Sequence, residues 1–176
     1  MAPRINPSLF DKLVADLDME GLVEAADEGL GELSRASVRF YTVPRIERFN
    51  EAALRATVLR ELNWLLNTTN LASAQSLEDT PEVATSVLNY GVRDMTGKLM
   101  ERRAIQSRAR EIRDVIKVFE PRMDPRRLDV EASPSPERPN AVTFVIRGDI
   151  THAVNAMPVE FKTDVEIDTG AASLRD

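Results

Sequence analysis

The chain reads as an α+β domain, with helices first and a C-terminal antiparallel three-stranded meander packed on them. Three observations predict this. Apolar residues recur every three or four positions from Leu54 to Phe119, they alternate from Leu128 to Ile167, and loops rather than crossover helices join the alternating runs. At 176 residues, 43% hydrophobic and 30% charged, the chain is long enough to bury one sizeable core.

The first element is "NPSLFDKLVADL". Ser8 can cap a short helix whose stripe is Leu9, Phe10, Leu13, Val14 and Leu17. The acidic, glycine-punctuated "DMEGLVEAADEGLGELSRAS" follows and reads as a mobile arm. Residues 1–40 are thus expected to be a docking helix with an acidic arm, and residues 41–176 a single domain.

In "FNEAALRATVLRELNWLLNTTN", Asn50 can cap a helix with Leu54, Val58, Leu62 and Leu65 on its buried side, Trp64 broadening the stripe and Asn67 ending it. "TPEVATSVLNYG" predicts a second helix. Thr80 is its cap, Pro81 its first residue, Gly91 its exit, and Val83, Ala84, Val87 and Leu88 its buried set. A third helix carries Ile105, Ala109, Ile112, Ile116 and Phe119 along a narrow seam.

Three strands complete the domain. Leu128, Val130 and Ala132 alternate in the first, and Val142, Phe144, Ile146 and Ile150 line one face of the second, with a bulge expected at Gly148. In the third, Val159, Phe161, Val165 and Ile167 face inward, and Glu160, Lys162, Asp164, Glu166 and Asp168 face outward.

Charge is uneven. The net charge is −6, yet Lys98 to Arg127 holds ten basic residues against five acids. This marks a surface for an acidic partner, or a solvated face with intrahelical pairs such as Arg110–Asp114. Nucleic-acid binding through Arg102, Arg103, Arg108 and Arg110 is weakly supported, because no aromatic residue interleaves with these arginines.

Several functions lack their residues. There is no cysteine for a disulfide or thiolate, and the one histidine, His152, excludes a multi-histidine metal site within the chain. No phosphate-cradling glycine loop or Ser-His-Asp pattern occurs, so no metal or cofactor is expected. Neither a membrane-length apolar run nor a signal-peptide core is present, and a cytoplasmic protein is the expectation.

The join between helix and sheet, "FEPRMDPRRLDV", carries Glu120-Pro121-Arg122. Pro121 should end the helix at about Phe119, and a carboxylate at that negative helix end calls for a cation, which Arg122 or a neighbouring helix can supply. A catalytic carboxylate, a structural corner and a docking point are all compatible with it. Catalysis would need a second acid, for which Glu61 is the candidate.

Five segments in order, "LRELNWLLNT", "VATSVLNYGVRDMTG", "IRDVIKVFEPRM", "VTFVIRGDI" and "VEFKTDVEIDTGAASL", resemble the TssE-like baseplate subunits of type VI secretion systems. These are relatives of the small lysozyme-like wedge protein of contractile-tail phage baseplates. The likeness covers about residues 50–174, with "SVLNYG" and "FEPR" its most specific parts. It implies a non-enzymatic wedge component in the cytoplasm, in a baseplate docked at the inner-membrane complex, and a platform for sheath polymerisation. The implied partners are wedge subunits of the TssF, TssG and TssK types and the contractile sheath subunits, with no nucleic acid, small-molecule substrate or membrane insertion. The family's Glu-Pro-Arg motif falls on Glu120, Pro121 and Arg122, implicated in holding the subunit to its wedge partners. Strand addition to a sheath subunit would use an edge of the strands at 142–150 or 158–168. The alternative, a peptidoglycan-cleaving lysozyme-like enzyme, would use Glu120 and Glu61.

Overall fold

The computed structural model describes Leu9 and residues 50–94, 102–134, 141–151, 156–166 and 168–175. The chain divides into two compact units, Met1–Ala56 and Thr57–Asp176. Apart from Leu9, the N-terminal helix and acidic arm lie outside the described residues, as do His152, Ile167 and most of the "SPSPERPN" loop.

Helix α1 spans Glu51–Leu66. Asn50 caps it as expected, its Oδ1 accepting the Ala53 amide at 2.9 Å. Leu54, Val58, Leu62 and Leu65 are all buried. Trp64 is half-buried, and the Arg60 guanidinium lies 5.0 Å from its ring centroid.

The predicted second helix is not one helix. Helix α2 covers only Pro81–Ala84, and a 3₁₀ turn at Val87–Asn89 follows it. Thr80 makes no side-chain cap bond. Ala84, Val87 and Leu88 are exposed rather than buried, and Asn89 is buried instead. The cause is polar competition for the backbone. The Ser86 hydroxyl donates to the Val83 carbonyl at 3.0 Å and accepts the Leu88 amide at 3.3 Å, bonds that close a tight turn. Asn89 then turns inward, donating to the Ala84 carbonyl at 3.0 Å and accepting the Ala72 amide at 2.9 Å.

Gly91 has φ +115°, and a side chain there would collide with the Thr68 backbone oxygen. That close approach lets Thr69 and Val92 bridge in parallel.

Helix α3, Arg102–Phe119, ends where Pro121 predicts. Its seam buries Ala109, Ile112 and Ile116, while Ile105 and Phe119 are intermediate, and the helix packs on the first two strands. Asp114 pairs with Lys117 at 3.6 Å, and Arg110 Nε donates to the Gln106 carbonyl at 3.4 Å. Arg108 is buried. It donates to the Arg93 and Asp94 carbonyls and to Glu111, so it holds the Arg93–Asp94 backbone rather than offering charge to nucleic acid.

The sheet has four antiparallel strands, not three: β1 Asp129–Pro134, β2 Ala141–Ile150, β3 Met157–Glu166 and β4 Ala172–Arg175, in the order β1-β2-β3-β4. The fourth strand follows Gly170, whose φ of +69° turns the chain back against β3. Val142, Phe144, Ile146, Ile150, Val159, Phe161 and Val165 form the buried face. Gly148 pairs with Val159 in regular register, without a bulge; a side chain there would come within 2.8 Å of Met123 Cε. Asp164 is buried rather than exposed, because Thr143 donates to it at 2.6 Å and Arg175 pairs with it at 3.0 Å.

Candidate functional site

Glu120-Pro121-Arg122 forms the corner between α3 and the sheet. The Glu120 amide still donates to the Ile116 carbonyl at 2.8 Å, completing the helix's last bond before proline removes the next donor. The Met123 amide then closes a turn onto the Glu120 carbonyl at 3.1 Å.

Backbone bonds fasten that turn to the end of β2. The Thr151 amide donates to the Arg122 carbonyl at 2.9 Å, and the Asp124 amide to the Asp149 carbonyl at 2.9 Å. Arg127 adds an ion pair to Asp149 at 2.7 Å.

Both charged side chains of the motif turn inward. The Glu120 side chain is 3% exposed and that of Arg122 12%. Arg122 Nε donates to one Glu120 oxygen at 2.7 Å and Nη2 to the other at 2.5 Å, a fork matched to a carboxylate. The same Nη2 pairs with Glu61, and Nη1 reaches the Thr57 hydroxyl at 3.4 Å. Arg122 thus supplies the cation that a carboxylate at a helix C-terminus requires. Pro121, between them, is exposed.

Glu61 comes to the corner from α1. Its second oxygen accepts from Arg60 at 3.1 Å. Burial pushes its carboxyl above the ordinary value; the Arg122 charge pulls it down and that of Glu120 pushes it up. Tyr90 completes the surroundings, its ring packing edge-on against Phe119 with centroids 5.4 Å apart and its hydroxyl 3.5 Å from the Glu61 carbonyl. "SVLNYG" and "FEPR", 29 residues apart at Tyr90 and Phe119 in the chain, therefore meet in space.

Thr57 and Tyr90 are members of this site that sequence reasoning did not single out. Thr57 was legible in one respect: it lies four residues before Glu61, on the same helical face. Tyr90 offered no such spacing. Cavities of about 420 and 940 Å³ open elsewhere, beside the β3–β4 turn and along α3, and neither is lined by Glu61 or Glu120. Among the described residues no group of three or more acids or histidines could hold a metal ion.

A guanidinium closed on two carboxylates and fastened to a strand end defines a rigid structural corner in a small α+β domain. The match to known families has the same structural character. The chain belongs to the family described as baseplate wedge protein gp25, which matches residues 52–154, a span that includes all of α1 but Glu51, the whole corner and β2. That family is one of structural components of phage-tail-like baseplates, which work through contacts with other baseplate proteins. Neither a curated protein nor a solved structure matches the chain. No helix among the described residues is long and apolar enough to cross a membrane.

The topology corrects one further expectation. β2 lies between β1 and β3, so the strand at 142–150 is not an edge; β4 pairs with β3 only over Lys162–Val165, so the edges are β1, β4 and the Met157–Glu160 part of β3.

Proposed function

We propose that this chain is a non-enzymatic wedge component of a contractile type VI secretion baseplate, docking to other wedge subunits and serving as a platform for sheath polymerisation. The observation that carries the reading is the family match across the closed corner at Glu120, Pro121 and Arg122. Its partners on this reading are wedge subunits of the TssF, TssG and TssK types and the sheath subunits, in a cytoplasmic baseplate docked at the inner-membrane complex. A sheath strand would add at β1 or β4.

The three residues of the motif divide the work. Glu120 and Arg122 hold the turn from inside, and Pro121 presents it to the partner. Peptidoglycan cleavage is the poorer fit, because glycoside hydrolysis requires carboxyls that can reach a substrate. Here Arg122 pairs with both Glu61 and Glu120.

Arg122→Ala would strand a buried carboxylate at a cost of about 3–5 kcal/mol, so it mainly tests folding. Arg122→Lys keeps the charge but replaces the fork with a point donor. The lysine variant is expected to stay folded by circular dichroism and to co-purify poorly with co-expressed wedge subunits. Recovery of the complex at the wild-type level would refute the proposed role of the corner. Clearing of peptidoglycan by the purified protein would restore the enzymatic reading.

A further inference from the structure

Val87 and Leu88 are the most exposed large apolar residues of the Thr57–Asp176 unit among those described, at 83% and 70%. Single exposed apolar residues need no explanation, but two adjacent ones on a fixed turn do. Ser86 and the buried Asn89 bond that turn on both sides, Asn89 reaching across to the Ala72 amide. Tyr90 then anchors it against Phe119 at the helix end. The two apolar tips therefore stand on a preorganised base, which lowers the ordering cost of binding.

The segment that carries them is acidic, and the arginine that follows it, Arg93, is paired with Glu111 at 3.6 Å. From Leu71 to Val92 the chain holds Glu78, Asp79 and Glu82 and no lysine or arginine. Those three acids are exposed, and Asp94 lines the groove of about 570 Å³ beside Leu88. The stretch Asp11 to Glu32 of the chain's own leading segment is an unsuitable occupant, since it carries eight acids against Lys12 alone.

We propose that Val87 and Leu88 form an anchoring knob for a partner protein that offers an apolar pocket rimmed by lysine or arginine. This rests on the reading of the chain as a wedge component and adds a second contact, separate from the Pro121 corner.

The test uses the full chain co-expressed with the other wedge subunits of its system, comparing wild type with Val87→Ser/Leu88→Ser and with Glu78→Lys/Glu82→Lys. Both pairs lie on exposed positions and should leave the melting temperature unchanged. The serine pair is expected to weaken the complex about tenfold or more, from the loss of two buried apolar side chains. The lysine pair should weaken it most at low salt. A photo-crosslinker at position 88 should capture a wedge subunit near basic residues. Wild-type affinity in the serine pair overturns the knob alone, as does crosslinking to a second copy or to the chain's own N-terminal segment. Failure of the wild-type chain to join any wedge complex overturns the wedge reading and the knob with it.

Discussion

Glu61 shows how one side chain can carry opposing demands. Burial outweighs its attraction to Arg122, so its carboxyl titrates above the ordinary value of 4.5. Folding then favours the protonated form. The stabilisation is complete below pH 4.5 and is lost as pH rises through the raised folded-state value. Glu61→Gln keeps the shape and an oxygen for Arg122 but cannot ionise. The stability of wild type minus that of Glu61→Gln, from urea midpoints between about pH 4 and pH 8, is expected to fall as pH rises. A difference that stays flat or rises would show that Arg122, not burial, dominates at this carboxyl. At the same scale, the acid and base flanking Pro121 were legible as partners from helix electrostatics. Their inward direction was not, because it depends on Thr57 and Glu61 from another helix.

Among the elements, β4 was the one that periodicity missed. Ala172–Arg175 is too short to display a clear alternation, and beside its pairing with β3 it is held by a residue far away in sequence. The Asn67 side chain accepts the Ala172 amide at 3.0 Å and donates to the Ala172 carbonyl at 2.9 Å, as a neighbouring strand would. Asn67→Ala is expected to release β4 locally, at about 1–2 kcal/mol for the lost bonds, while the sheet interior holds. Faster hydrogen exchange at Ala172 with unchanged exchange at Phe144 is the signature; unchanged exchange at both would remove Asn67 from that role. The second helix failed as a prediction for the opposite reason. Its apolar spacing was helical, but Ser86 and Asn89 offered the backbone stronger local partners than another helical turn.

For the whole molecule, residues 41–176 are proposed to fold without the leading docking segment. Removing residues 1–40 is expected to shift the melting temperature by less than about 4 °C, the shift that about 1 kcal/mol produces in a domain of this size. A larger loss would make that segment part of the folding unit. The seams of α1 and α3 and the alternation of β1 to β3 were written in the sequence, because burial on one side imposes a period on local composition. The position of the helix end at Pro121 was written there too, since proline acts through its own ring. What only the tertiary structure decided was which groups meet: Tyr90 on Phe119, Glu61 on Arg122, Asn67 on Ala172, and Asp164 buried rather than exposed. Each joins residues distant along the chain or depends on what covers a sheet face, and local periodicity carries no record of such pairings.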